Sequence, residues 1–301
     1  MKKPVIISTV ILMCLFLNAK TAACAPALKL ITSVRGDGMG GSCSALNNEI
    51  DGIYYNPASI IELKSNEIIT SYMARVEGVY YANICYGSPL DKDSSIGLTF
   101  GLFDAGTMEV NYFDGSSTTK NAQKEYIAGA YYAIKISKEL DIGIGAKFLY
   151  SVLADDYKAY IFAFDIGVKY FMFEDITIAA SVLNVGPAVK YIDDADALPL
   201  TGYVGAAYPF KLSKTDILNI STDCEISISD KMKVNTGIEY VYNNMISVRA
   251  GYRFGQDIGS ITAGIGARYS VENIGIIGFD YAYIYGSDWF DTHKVSLIFK
   301  F

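Results

Sequence analysis

The stretch His293–Phe301, HKVSLIFKF, alternates with a period of two. Val295, Leu297, Phe299 and Phe301 fall on one face. Lys294, Ser296 and Lys300 fall on the other, with Ile298 as an apolar intruder. Successive side chains of a strand point to opposite sides, so this is a strand between two different solvents. At an open sheet edge an apolar, aromatic strand invites pairing with other chains. Closing the sheet on itself removes the edge. The pattern favours a closed barrel over the last strand of a soluble sandwich.

The same alternation recurs upstream. Ile96, Leu98, Phe100 and Leu102 alternate with Gly97, Thr99 and Gly101, and Ile142 to Tyr150 alternate with Gly143, Gly145 and Lys147. Phe162 to Tyr170 and Ile246 to Phe254 repeat the pattern. Strands are predicted at 66–76, 78–88, 95–109, 123–136, 140–154, 157–173, 175–184, 200–210, 217–228, 233–242, 245–254, 260–270, 274–285 and 293–301. That is about fourteen, an even number, as bacterial membrane barrels have. Tyr and Phe gather near strand ends, where aromatic girdles sit at membrane interfaces. Hydrophobic residues make up 51% of the 301. Past the N-terminus no uninterrupted apolar run reaches the ~18 residues a membrane helix needs. The expected fold is therefore all-β, a transmembrane antiparallel barrel. A net charge of −7 argues against nucleic acid as a partner.

Residues 1–25 read as a secretory signal peptide, with Lys2 and Lys3 before an apolar core and small residues at the exit. Cleavage after Ala23 fits, and Cys24 raises a lipoprotein alternative. Cys43, Cys85 and Cys224 stand in no pairing or ligand pattern. Residues 26–64 lack strand alternation and are expected to form a short loop-and-helix hatch in the lumen of a barrel over 65–301. Within them, Asn56-Pro57 reads as the N-cap and first position of a short helix, Pro57–Leu63. Gly36-x-Gly38-x-x-Gly41 spells a dinucleotide fingerprint, but no βαβ unit surrounds it. Asn111–Ala122, Val185–Pro199 and Gly286–Thr292 are long loops, while Asn243–Met245 and Val271–Asn273 are short turns. The long loops are expected at the cell surface and the short turns in the periplasm.

Glu239, Arg249, Arg253, Arg268 and Asp280 share the polar face of the last strands. A charge facing lipid costs about 2–4 kcal/mol near the midplane, so these are expected to point inward as a ladder of opposite charges. Pairing across Asn243–Met245 sets Glu239 opposite Arg249. The ladder either fixes register and fills the lumen or forms an anion site along a transport path. Glycines on the same face allow close approach of another segment. His293 lies near Asp291 and Ser296, but without a nucleophile elbow a serine hydrolase is not expected. Asp193-Asp194-Ala195-Asp196 reads as a solvated surface loop rather than a Ca²⁺ site. The inventory implies no enzyme, no metal and no cofactor.

Arg35…Gly38-Met39-Gly40-Gly41…Ala45, followed by Asp51…Tyr54-Tyr55-Asn56-Pro57-Ala58, resembles the N-terminal signature of the FadL-like outer-membrane barrels. Gly237-x-Glu239-Tyr240, Arg249-Ala-Gly251-Tyr252-Arg253, Asp280-Tyr281-Ala282-Tyr283 and the terminal Phe301 resemble its PorV/PorQ branch. The resemblance implies fourteen strands, an N-terminal hatch and an Asn56-Pro57-Ala58 turn within it. It also implies that Val295, Leu297, Phe299 and Phe301 form the signal read by the barrel-assembly machinery. The transporters of the family pass hydrophobic ligands, such as long-chain fatty acids, through the barrel and sideways into the membrane. The PorV branch instead serves protein secretion. The expectation is a monomer in outer-membrane lipid that moves a hydrophobic ligand. The alternative is a secretion or surface-attachment subunit with a protein partner. An open pore is disfavoured, since about fourteen strands with a plug leave little free lumen.

Overall fold

Fourteen antiparallel strands close into one barrel in the computed structural model. The structure describes residues 24–301 except 31–32, 47–48, 76–77, 173–174, 192–194, 257 and 287–290. The expected leader therefore lies outside the described residues, apart from Cys24 and Ala25.

The wall strands are β1 Glu67–Ala74, β2 Tyr80–Pro89 and β3 Ser94–Asp104, separated by the outlying pair β4 Thr107–Asn111 and β5 Ser117–Asn121 from β6 Gln123–Lys135. β7 Leu140–Leu153, β8 Tyr157–Met172 and β9 Ile176–Val185 follow, then a second outlying pair, β10 Val189–Lys190 and β11 Ala195–Asp196. The wall resumes with β12 Thr201–Lys211, β13 Ile217–Ser227, β14 Lys233–Tyr242 and β15 Ile246–Phe254. It ends with β16 Ile261–Val271, β17 Gly275–Tyr285 and β18 Thr292–Lys300. β18 pairs with β1 from Glu67↔Lys300 to Ala74↔His293, which closes the ring.

Alternation sets the two faces. Leu98, Phe100, Ile144, Phe162, Ile238, Val248, Ile265 and Leu297 point outward, each about half exposed or more. Between them Thr99, Asp165, Asn235, Glu239, Arg249, Asp280 and Ser296 point inward and are buried. A wall apolar outside and polar inside is stable against hydrocarbon. No helix among the described residues is long and apolar enough to cross a membrane. Ile298, the apolar exception in the last strand, is inward and 2% exposed. It packs with Ile50, Ile53 and Ile60 of the N-terminal segment.

Short turns gather at the end that holds Glu67 and Lys300. There Asn243 and Asn244 both take positive φ, the geometry that a tight hairpin turn demands. The long connections leave and rejoin the wall at the other end, at 105 and 122, 186 and 200, and 286 and 291. The strand predicted over 95–109 is corrected here. The β3 strand stops at Asp104, whose Oδ1 accepts from the Gly106 amide at 2.8 Å, and Gly106 turns with φ +77. Thr107–Asn111 then leaves the wall and pairs with Ser117–Asn121, inside what reads in sequence as an irregular loop. The predicted helix at Pro57 is a 3-10 turn ending at Glu62.

Candidate functional site: the plugged lumen

Residues 33–63 fill the turn end of the lumen. Ser33 caps the five-residue helix Val34–Gly38, its Oγ accepting from the Gly36 amide at 3.0 Å. Gly40 and Gly41 follow with φ of +69 and +84. They turn the chain against bare backbone of the wall. A Cβ on Gly251 would collide with Gly40, and one on Gly143 would collide with Pro57 and Ala58. These wall glycines form the recesses in which the plug lies. At the Asn56-Pro57-Ala58 turn, the Asn56 Oδ1 accepts from the Ala58 amide at 2.9 Å. Its Nδ2 donates to the Val168 carbonyl at 3.0 Å and the Ser44 carbonyl at 3.3 Å. One side chain thus caps the turn and ties it to β8.

The five ladder residues lie on the inner wall, with Glu239 opposite Arg249. The plug supplies partners that the wall alone lacks. Arg35 donates to both oxygens of Glu239, at 3.0 and 2.6 Å. Arg249 bridges Glu239 and Asp280 at 2.7 Å each. Arg268 bridges Asp280 at 2.7 Å and Glu49 at 3.0 Å. Lys300 meets Glu49 at 3.0 Å and Glu67 at 3.6 Å. Burial alone would raise the Glu49 carboxyl, but Arg268 and Lys300 overcome it and hold it well below the usual range. Arg253 stands apart from this chain. It pairs with Asp37 at 2.7 Å, and Lys294 meets the other Asp37 oxygen at 2.5 Å. On the opposite wall Lys169 pairs with Glu62 at 2.5 Å, and on β13, beside β14, Asp223 accepts from the Ser44 amide at 2.8 Å. The plug is fastened on both sides.

The first described residues reach the loop end. Cys24 donates its amide to the Ala197 carbonyl at 3.2 Å, and Ala27 donates to the buried Glu125 carboxylate at 2.8 Å. The Asn184 amide group donates to the Leu28 carbonyl at 3.3 Å. Two cavities flank this segment. One, of about 240 Å³, opens toward the loop end and includes Tyr203, Arg253 and Ile284 in its wall. The other, of about 30 Å³, lies among Ile53, Tyr81, Ile127 and Tyr131. Leu28, Leu30, Tyr54, Leu183 and Asn184 border both, so they form the partition between them. Asn184 also takes φ +64, where the β8–β9 register shifts between Phe164 and Ile166.

Sequence reasoning missed Arg35, Asp37, Glu49 and Glu125 as charged partners. They sit outside or at the edge of any alternating pattern. Lys294 and Lys300 were visible as the polar face of the last strand. His293 points outward, its Nδ1 2.8 Å from the Tyr281 hydroxyl, whereas Ser296 is buried on the inner face. The two share no site. Of the acidic loop, Asp193 and Asp194 lie outside the described residues, and Ala195–Asp196 pairs with Val189–Lys190. Val295, Leu297 and Phe301 are exposed on the outer face, with Phe299 stacked on Phe301 at 5.0 Å.

The fold is a plugged, fourteen-stranded antiparallel barrel. Among solved structures, the toluene transporter TbuX of Ralstonia pickettii is similar at a TM-score of 0.64 and 12% identity, covering 92% of this chain and all of that one. The toluene transporter TodX of Pseudomonas putida gives 0.59 and 12%, over 87% of this chain and 95% of that one. A FadL homologue of Pseudomonas aeruginosa gives 0.56 and 9%, over 90% and 98%. At these identities the likeness is one of fold. No family model and no curated protein matches the chain.

Proposed function

We propose that this chain is a monomeric outer-membrane barrel that moves hydrophobic small molecules, such as long-chain fatty acids, across the bacterial outer membrane. Residues 1–25 are its leader, 26–64 its hatch and 65–301 its wall. The short-turn end then faces the periplasm. The observation that carries the reading is the pair of cavities parted by Leu28, Leu30 and Tyr54 above the plug. The outer one joins apolar side chains to Arg75, Lys233 and Lys294, a surface suited to a molecule with an apolar body and a polar head. Similar barrels described as toluene transporters support the reading. The irregular β8–β9 seam is the proposed exit into the bilayer, because β8 runs on to Tyr157 while β9 ends at Val185. Mass spectrometry of lipids retained through mild-detergent purification tests this. A stoichiometric amphiphile, lost on disruption of Asn56-Pro57-Ala58, is expected. Absence of both a retained ligand and saturable fatty-acid binding would sink the reading.

A second reading has its own observation. The β4–β5 hairpin stands clear of the wall and exposes Tyr112 and Phe113 near its tip. Such a projection suits a PorV-like secretion or surface-attachment subunit that holds a protein partner. A stoichiometric protein recovered from native membrane, with no ligand, would favour it.

A further inference from the structure

We propose that Asp51, in the buried charge cluster between plug and wall, holds a proton, and that this proton keeps the plug seated. The ion-paired chain runs Arg35, Glu239, Arg249, Asp280, Arg268, Glu49, Lys300, Glu67. Its four cations balance its four carboxylates. Asp51 is a ninth group beside them. It lies on the 3-10 turn Ile50–Tyr54, is 4% exposed, and has one carboxylate oxygen with no hydrogen-bond partner. No ion pair reaches it among the described residues.

The groups that face Asp51 come from several elements. Ser33 and Arg35 face it from the N-terminal helix and its cap, and Glu49 from the residue before its own turn. Cys43 faces it from the plug, Glu67 from β1, Cys85 from β2 and Asp280 from β17. Glu62, at the end of the next 3-10 turn, is occupied by Lys169. The three carboxylates that face Asp51 are each paired with a cation of the chain, and among the described residues Asp51 has no cation of its own. A buried carboxylate without a cation of its own is costly, and protonation removes the charge.

The direction of the pH effect follows. Burial, then the charge of Glu49, push Asp51 from 3.8 up to about 7. With the plug withdrawn into water, the group returns to its ordinary value. The seated state then binds a proton that the withdrawn state releases. Its contribution is full below pH ~4, falls as pH rises toward ~7, and is absent above.

Peptide-resolved thiol labelling of Cys43, which is fully buried in the plug, reads this directly. The reagent must react at low pH, as a dithiodipyridine does. Protection is the labelling rate in the urea-unfolded chain divided by that in the folded full-length barrel at the same pH. Relative to Asp51→Asn, wild-type protection is expected to fall about tenfold per pH unit between pH 5 and 7. Identical pH profiles would overturn the proposal. A second measurement compares the same two proteins by infrared spectroscopy with ¹³C-labelled aspartate. At pH 6 wild type should show a protonated carboxyl band that Asp51→Asn lacks. Absence of that band would overturn it equally.

Discussion

Arg35 and Glu239 are 204 residues apart in the chain, yet the guanidinium grips both carboxylate oxygens, the nearer at 2.6 Å. The pair joins the first helix of the plug to the middle of the β14 strand, and both partners are buried. Glu239 also accepts from Arg249 and Asn219, so the plug is part of the wall's own polar network.

Removing one partner should expose that dependence. Arg35→Ala leaves Glu239 with a single cation, and loss of one member of a buried pair costs about 3–5 kcal/mol. The cost falls on plug seating, since the strand ladders remain. Limited proteolysis should cleave residues 26–64 in the variant while the strands resist. Equal resistance of that segment in both proteins would show that the pair holds nothing.

The glycine recesses make a steric prediction. In Gly143→Val the new side chain occupies the place of the Pro57 and Ala58 backbone. The barrel should assemble and keep its strand content by circular dichroism. Its conductance in planar bilayers should rise above that of wild type. Gly115→Ala, at a hairpin tip away from the plug, strains only its own turn, where φ is +84, and should leave conductance unchanged.

Asn56→Ala removes the cap on Ala58 and the bonds to Val168 and Ser44. A cap is worth about 0.5–2 kcal/mol, and each further lost hydrogen bond adds about 0.5–1.5 kcal/mol. Hydrogen exchange should therefore quicken at the Ala58 amide without change in the wall strands.

The outer face is tested by Leu297→Arg. Leu297 is 62% exposed among apolar neighbours, and a charge facing lipid costs about 2–4 kcal/mol near the midplane. Folding into lipid vesicles, followed by urea titration, should show that loss. A neutral outcome would place Leu297 outside the hydrocarbon.

Local pattern carried much of the architecture. The alternation from Ile246 to Phe254, with the tight turn at Asn243–Met245, was enough to set Glu239 opposite Arg249. Asn56-Pro57 announced its turn because a cap and a fixed φ are local chemistry. Arg35, Asp37 and Glu49 gave no such sign. Their partners lie more than 200 residues away in sequence, and nothing periodic in the plug dictates its register against the wall. Ile298 looked like a flaw in an inward face until the plug supplied Ile50 and Ile53 to cover it. The β4–β5 hairpin was hidden for a related reason. Its strands leave the wall at Gly106, and their short polar segments lack the apolar face that marks a wall strand.

Uptake through the lumen is the central claim, and it is measured most directly with a labelled long-chain fatty acid in cells with and without this chain. The account predicts saturable uptake that disappears with the gene and returns with the wild-type barrel. Unchanged uptake on deletion, together with a stoichiometric protein partner in the native membrane, would contradict it.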